Sequence, residues 1–379
     1  MLNDRNISTS PTEAVTEASG TQEGATTMPS LYRFDQSFEE NARLGPRFDG
    51  PYPQVPAGTQ KSFYGLPVNS RFGIAAGPGI NSAWISLYSR LGFDILTYKT
   101  VRLHERLAHP EPNFTFIEPN AAISRPDAVA IATTGSSLPL ELAPTGGSIG
   151  MPSLPVHFWQ SDIEVAKRAL GRGQVLIVSI VGTLQRGMSA SAYEAEFETL
   201  ARMVVEAGAD IVEANLSCPN VGGAEGFVYK DFDLSRRIAA AARRGAGDRP
   251  VLLKVGHLGE DLPSFLRAVA GSAQGIVTMN ALARRIENRS GTPFFGAARQ
   301  MAGVHGGAIF QIALDAVQQA MAVIRKERLD LRVIGVGGAS TPERAAAFLD
   351  AGADAALVAS SALLCPMVAC TVKVLRPDI

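Results

Sequence analysis

One short polar motif follows an apolar run in the middle of the chain. Residues 215–220 read NLSCPN and come directly after IVEA. The thiol of Cys218 can act as a general base, and asparagine amides can both donate to and accept from a planar ring that carries amide-like groups. An isolated cysteine is more often a small core side chain, but Ser217, Pro219 and Asn220 beside Cys218 disfavour that interpretation. The motif predicts proton removal from an amide-bearing ring.

Further polar side chains lie near the carboxyl ends of other apolar runs. They are Lys99 and Thr100 in ILTYKTV, Lys254 in VLLKVG and Asn280 in GIVTMNA. Burying a charge without partners is costly, so two lysines and several asparagines at one end of a fold indicate a site. A buried lysine beside a flavin ring can stabilise the negative charge of the reduced ring. These residues therefore predict a redox site.

Glycine-rich and small-residue loops occur late in the chain. VHGGAI covers 304–309, GVGGAS covers 335–340 and ASS covers 359–361. Glycine lets backbone N–H groups approach an anion, and helix N-termini favour negative charge. Each loop alone is weak evidence because glycine also marks ordinary turns, but together they predict a phosphate site. The dinucleotide motif GxGxxG does not occur at this position, so a Rossmann site is not supported.

The elements that must hold these residues follow a regular rhythm. Continuous Val- and Ile-rich runs without alternation predict strands buried on both faces, at residues 72–77, 95–101, 175–182, 210–217, 251–256, 275–281, 332–338 and 355–363. Amphipathic stretches predict helices at 191–208, 235–244, 312–327 and 341–352. Thr341 before Pro342 is expected to begin a helix, and Gly208 and Gly352 are expected to cap helix C-termini.

Eight strands that alternate with helices predict an α/β fold, a (β/α)8 TIM barrel with a parallel eight-stranded core. An open, doubly wound sheet is the alternative that periodicity alone leaves open. The segment 102–174 between the second and third strands is then an insertion. Active sites of such barrels lie at the C-terminal ends of the strands, where the polar residues above occur.

Composition limits the kinds of partner, site and cellular location to be expected. The chain has 379 residues with a net charge of -1, so no general attraction to nucleic acid or to an anionic membrane is expected. Residues 1–30 are rich in Ser, Thr, Glu and Gly and predict a disordered tail, while 31–379 predict one domain whose residues 31–70 wrap its surface. Three cysteines without metal-ligand spacing disfavour a disulfide framework and a metal site. With no long apolar span and no secretory signal, a cytoplasmic protein is expected.

From about residue 65 to the C-terminus, the sequence resembles the dihydroorotate dehydrogenase family, whose members bind FMN on (β/α)8 barrels. NLSCPN is similar to the family motif N-x-S-[CS]-P-N, and the motif order also matches. The resemblance implies that Cys218 is the catalytic base. It implies that a pyrimidine-like substrate contacts Lys99, Ser148, Ile149, Gly150, Met151, Asn215, Asn220 and Asn280. It implies that FMN contacts Ala75, Ala76, Gly77, Lys99, Thr100, Ser179, Asn215, Lys254, Met279, Gly306, Gly337, Gly338, Ala359 and Ser360.

The residue at the base position divides this family. Members that associate with membranes and use quinones carry serine there, whereas soluble members carry cysteine. Cys218 therefore implies the soluble, class 1 type, with no metal and with a homodimer expected. Soluble members pass electrons to fumarate or to an iron–sulfur flavoprotein subunit, so an electron-transfer partner chain is a further expectation.

Three departures from the family pattern fall around the expected pocket. Gly147 in GSIGM stands where asparagine is expected, Ala281 follows Asn280 where serine or threonine is expected, and Asn113 replaces an arginine. The stretch 126–146 also departs from the pattern and is expected to reshape the lid. Two alternatives to dihydroorotate oxidation therefore remain open. One is an FMN ene-reductase or dehydrogenase acting on another pyrimidine or a specialised metabolite, and the other is a barrel that binds a phosphate ligand or a partner protein without turnover.

Overall fold

The structure is a computed structural model that describes residues 30–56, 58–218 and 224–379. The predicted disordered tail lies almost entirely outside the described residues, and so does Asn220.

In the described part of the chain, the strands are β1 Lys61–Phe63, β2 Leu66–Val68, β3 Phe72–Gly79, β4 Ile95–Val101, β5 Phe114–Ile117, β6 Val129–Thr133, β7 Pro144–Gly147, β8 Val175–Ile180, β9 Ile211–Asn215, β10 Val251–Val255, β11 Gly275–Thr278, β12 Leu282–Glu287, β13 Met301–Gly306, β14 Arg332–Val336 and β15 Ala355–Val358. The α-helices are α1 Phe38–Leu44, α2 Ser82–Arg90, α3 Val156–Arg168, α4 Ala190–Glu206, α5 Phe232–Ala246, α6 Leu262–Val269, α7 Phe310–Glu327, α8 Pro342–Asp350, α9 Ser360–Leu364 and α10 Val368–Leu375.

The predicted parallel barrel is confirmed. Among the described residues, eight strands close in the order β3-β4-β8-β9-β10-β11-β14-β15, and β15 pairs with β3. Each corresponds to one predicted apolar run, because both faces of these strands are buried. Branched side chains, including Ile177, Ile211, Val277 and Ile334, fill the barrel interior. The run 355–363 differs from its prediction, since it holds a strand and then the short helix α9.

The helix signals in the sequence also have their expected structural counterparts. The Thr341 side chain accepts a hydrogen bond from the Arg344 N–H at the start of α8. Gly208 and Gly352 follow α4 and α8 with φ values of 111° and 106°, a backbone region that glycine adopts without strain. Within the described residues, the stretch Gly307–Glu327 is long and apolar enough to cross a membrane by length and composition alone. Ala313, Val317 and other residues of α7 are buried, as in an outer helix of a barrel.

A second, smaller barrel is built from two segments far apart in sequence. Strands β5, β6 and β7 come from the long segment between β4 and β8, and β12 and β13 follow β11. They close in the order β12-β13-β7-β5-β6. Its interior is tight at Gly146, where a Cβ atom would lie 2.5 Å from Cδ1 of Ile286.

The N-terminal part of the described chain crosses the mouth of the large barrel. The Leu31 N–H donates to the Leu363 carbonyl oxygen at 2.8 Å. Leu31, Tyr32 and Phe38 are buried. The sequence predicts that residues 31–70 wrap the surface of the domain, and in this stretch the aromatic side chains also pack inward over the strand ends.

A buried ion pair ties α10 to the residue that precedes β4. Lys373 Nζ lies 2.6 Å from Asp94 Oδ2, and both side chains are almost fully buried. Lys373 also donates to the Gly92 carbonyl oxygen, and the Ser70 hydroxyl donates to Asp94. Since β4 runs away from Asp94 toward Lys99, this cluster lies at the end of the barrel opposite the polar residues of the mouth.

Candidate active site

A chain of side-chain hydrogen bonds crosses the carboxyl ends of the barrel strands. Thr100 Oγ1 and Ser179 Oγ are 3.0 Å apart, and Asn215 Nδ2 donates to Thr100 Oγ1 at 3.3 Å. Asn280 Nδ2 lies 3.5 Å from Asn215 Oδ1 and donates to the Ser217 carbonyl oxygen. Parallel register makes this possible, because these residues end or follow neighbouring strands at the same edge.

Two lysines and the cysteine share the buried environment beside this chain. Burial lowers the pKa of Lys99 to about 8; the nearby Cys218 opposes the shift, whereas the positive charges of Lys254 and Arg102 add to it. Cys218 itself is only 4% exposed. The structure therefore brings together Lys99, Cys218, Lys254 and Asn280, as the sequence predicts.

A cavity opens beside these groups. Several predicted site residues line it: Ala75, Gly77, Ile149, Lys254, Asn280, Ala359 and Ser360. Its other walls include residues that the sequence did not single out for a site: Tyr32, Phe38, Pro78, Ile80, Phe114, His305, Val336 and Leu363. The cavity combines apolar walls with a lysine and an amide, which is the composition of cofactor and substrate pockets.

A neighbouring cavity shares several lining residues with the first one, namely Asn280, His305, Val336, Ala359 and Ser360. Its lining includes the predicted phosphate glycines Gly306, Gly337 and Gly338. All three have positive φ, and a Cβ atom on Gly338 would lie 2.8 Å from the Gly306 carbonyl oxygen. Only residues without a side chain allow this close approach of two loops, which is the backbone arrangement that binds phosphate.

The remaining predicted residues lie near the cavity without lining it. Lys99 and Thr100 line a small separate recess together with Pro152 and Ser153. Met151 Sδ accepts from Asn215 Nδ2 at 3.4 Å. The other predicted residues of this kind are buried or half-buried nearby, namely Ala76, Ser148, Gly150, Ser179, Asn215, Cys218 and Met279. Asn220 lies outside the described residues, so its predicted contact is untested.

No group of three or more His, Cys, Asp or Glu side chains suited to hold a metal occurs among residues 30–56, 58–218 and 224–379. The polar groups of the mouth are amides, hydroxyls, lysines and a thiol. This donor set suits an organic ring and a phosphate.

His305 is a site residue that sequence reasoning missed. It lines both cavities, and its ring stacks on Phe114 with an interplanar angle of 10°. Burial lowers the pKa of His305 to about 4, and the charge of Lys254 contributes to the shift. Its position directly before Gly306 and Gly307 was the available signal, since an ionisable side chain beside a phosphate loop lies close to any bound ligand.

The aromatic lining from the N-terminal segment was also missed. Tyr32 and Phe38 line the cavity, and burial raises the pKa of the Tyr32 hydroxyl well above its ordinary value. Asn113, which stands where the family pattern has arginine, is buried, and its Nδ2 has no partner among the described residues. The spacing of LYRFDQSF shows no helical or strand period that would place it over a barrel mouth.

Comparisons with known proteins agree with this architecture. A family model described as dihydroorotate dehydrogenase matches residues 150–374. A dihydroorotate dehydrogenase from Dictyostelium discoideum is 33% identical over 358 residues, which cover 89% of this chain and 95% of the relative. The NAD-dependent dihydropyrimidine dehydrogenase subunit PreA of Escherichia coli K12 is 35% identical over 188 residues, 48% of this chain and 43% of that protein. The catalytic subunit of dihydroorotate dehydrogenase B from Methanocella arvoryzae is 31% identical over 56% of this chain and 64% of its own length.

Solved structures share the fold at low sequence identity. The ligand-free DHODH of Eimeria tenella superimposes with a TM-score of 0.64 at 19% identity, covering 88% of this chain and 90% of that one. The family model spans more than half of the chain, and the Dictyostelium relative matches along most of both lengths. The chain therefore belongs to the dihydroorotate dehydrogenase family.

Proposed function

We propose that the protein oxidises dihydroorotate to orotate with FMN as the bound cofactor. The observation that carries the proposal is the meeting of Lys99, Cys218, Lys254 and Asn280 at one mouth of the barrel. Family membership supports the reaction type.

The chain's own residues fit FMN. The loops at Gly306, Gly337 and Gly338, the glycine cradle, pack so closely against neighbouring atoms that a Cβ atom at any of the three would clash, and such glycine-built loops expose backbone N–H groups that suit a phosphate group. The adjoining cavity is where the ring would lie, because Ala75, Gly77 and Lys254 line it. Bound there, FMN supplies a hydride acceptor for the C6–H bond of the substrate.

Each polar residue of the mouth has a task in this proposal. Asn215 and Asn280 donate to and accept from the amide groups of the pyrimidine ring and hold it flat. Cys218 removes the C5 proton, and the electron pair of that C–H bond forms the new C5=C6 double bond as the hydride leaves C6. The Lys99 ammonium attracts the substrate carboxylate, and Lys254 stabilises negative charge on the reduced ring.

Anaerobic spectroscopy tests the proposal directly. The purified protein, reconstituted with FMN, should be yellow and should bleach when dihydroorotate is added. Yellow protein that does not bleach would exclude dihydroorotate as the substrate and keep the flavoenzyme. Protein that fails to take up FMN even on reconstitution would favour the ligand-binding barrel without turnover.

A second candidate is an ene-reductase or dehydrogenase reaction on another pyrimidine or a specialised metabolite. Gly147, Ala281 and Asn113 favour it because they remove an amide, a hydroxyl and a cation from the expected pocket. The similarity to PreA, named as a dihydropyrimidine dehydrogenase subunit, gives it a specific form. Bleaching by dihydrouracil, which lacks the carboxylate, but not by dihydroorotate would select this candidate.

Several relatives are named as subunits, which bears on the electron acceptor. We propose that the reduced protein passes electrons to a partner chain, since these relatives are named as subunits. The alternative is fumarate, which the resemblance to soluble family members implies. Rapid reoxidation of the bleached protein by fumarate would select fumarate and exclude the need for a partner. The soluble class 1 type, the homodimer and the cytoplasmic location stay predictions from the sequence.

A further inference from the structure

His305 lies on the face of the small barrel that covers the active-site mouth. In the sheet register, His305 of β13 pairs with Thr145 of β7, and Gly303 pairs with Gly147. The Thr145 hydroxyl lies 2.8 Å from the Ser360 hydroxyl, which joins this face to the phosphate loop of the large barrel. The imidazole is therefore held between the two barrels, where it lines both cavities.

Two glycines make room for the imidazole ring. A Cβ atom on Gly147 would lie 3.1 Å from Cε1 of His305, and one on Gly303 would lie 2.8 Å from its Nε2. A side chain at 147 would therefore press against the imidazole and require it to shift by a few tenths of an ångström, whereas glycine leaves the ring in place. The absence of an amide at 147 and the presence of an imidazole at 305 are thus one structural feature.

Ala281 belongs to the same feature. Its Cβ atom lies 3.1 Å from the position that a Cβ atom on Gly303 would take, on the side of the glycine where His305 Nε2 lies. The two positions where the chain lacks an expected polar side chain therefore both border the ring of His305. The imidazole occupies the region that those missing groups would serve.

The imidazole of His305 has an unused hydrogen-bonding group. His305 Nδ1 is buried and has no partner among the described residues. A buried polar atom without a partner is unfavourable, so a ligand that supplies one gains affinity from it. Burial and Lys254 lower the pKa of His305 to about 4, so at neutral pH the ring offers one donor and one acceptor.

We propose that His305 is a specificity-determining residue whose imidazole hydrogen-bonds the substrate ring in place of the side chains missing at 147 and 281. The inference rests on the proposed function and names the substrate class more narrowly. A pyrimidine ring presents both N–H and C=O groups, and either one can pair with the free Nδ1 of a neutral imidazole, as acceptor or as donor. The enzyme would then keep the pyrimidine of its family while it holds that ring through a different residue.

Orotate binding to the FMN-loaded protein tests this assignment without turnover. His305→Phe keeps a planar ring against Phe114 but removes both nitrogens, whereas His305→Asn keeps a polar atom near the position of Nδ1. Titration of the flavin absorbance should show orotate binding about 10- to 100-fold weaker in His305→Phe, with most of the affinity retained in His305→Asn. Equal affinity in His305→Phe and the native protein, or equal losses in both variants, would overturn the inference.

The native protein supplies a second measurement that does not depend on how the variants fold. Among the five histidines of the chain, His305 is identified by a ¹⁵N imidazole signal that does not titrate until about pH 4. Saturating orotate should shift that signal, and an unchanged signal under saturation would overturn the inference. Native protein that binds FMN but no orotate would instead contradict the proposed function, so the two failures are distinguishable.

Discussion

Alanine at position 338 adds one methyl group where two loops meet, and it should weaken FMN binding. Gly338 has φ of +69°, and its added Cβ atom would lie 2.8 Å from the Gly306 carbonyl oxygen and 3.0 Å from Cβ of Phe310. The positive φ costs an alanine about 1–2 kcal/mol. Overpacking against a backbone atom adds about 1–3 kcal/mol, which the loops relieve by moving apart.

Gly271→Ala is the matched control. Gly271 has φ of +77°, but no atom lies within 4 Å of its added Cβ atom, and it precedes β11 at the opposite end of the barrel. Both variants therefore carry the same backbone strain, and only Gly338→Ala opens the cradle. The difference of about 1–3 kcal/mol corresponds to FMN binding that is about 5- to 150-fold weaker in Gly338→Ala.

Quenching of flavin fluorescence during titration of the apoprotein measures the two dissociation constants. Thermal unfolding of both apoproteins checks that the backbone cost is similar. Equal FMN affinity in Gly338→Ala and Gly271→Ala would refute the claim that contact between the two loops forms the phosphate site. Loss of FMN binding in both variants would refute it as well, because backbone strain alone would then explain the effect.

Three other changes have defined outcomes. In the apoprotein, the pKa of Lys99 is about 8, well below its value in an unfolded chain. Between about pH 8 and 10 the folded state therefore binds fewer protons than the unfolded state. The free energy of unfolding should rise by up to ~3 kcal/mol over this range. Urea titrations should show that rise in the native chain and not in Lys99→Met; the same rise in both would contradict the lowered pKa. Cys218→Ser should slow anaerobic bleaching by dihydroorotate by about 10²- to 10⁴-fold at neutral pH, because a hydroxyl is a far weaker base in this role; an unchanged rate would remove the thiol from the mechanism. Lys373→Met should cost about 3–5 kcal/mol of stability by leaving Asp94 buried without its cation, whereas Lys230→Met in an exposed pair should cost under about 1 kcal/mol; equal losses would show that burial of the pair does not matter.

The large barrel could be predicted because its signals are local. Each strand is a short apolar run buried on both faces, and each run stands between helical stretches with recognisable ends such as Thr341 and Gly352. Once the runs are placed in a parallel ring, Lys99, Asn215 and Lys254 must share one end. The main polar groups of the candidate site follow from this argument.

The small barrel could not be predicted in the same way. Its strands β5, β6, β7, β12 and β13 are short, and paired residues lie up to about 160 positions apart, as for Gly306, which pairs with Pro144. Nothing in a local pattern shows such a pairing. His305 was missed for the same reason, since only the register of β13 on β7 brings its ring over Gly147.

Strand β13 belongs both to the small barrel and to the candidate phosphate site. It closes the small barrel between β12 and β7, and its last residue, Gly306, is part of the glycine cradle beside α7. Phosphate bound at Gly306 should therefore also stabilise the small barrel, although the other strands of the small barrel need not contact the anion. Amide hydrogen exchange in β7 and β12 should therefore slow when inorganic phosphate alone binds. Occupation of the phosphate site would then order the small barrel that covers the substrate.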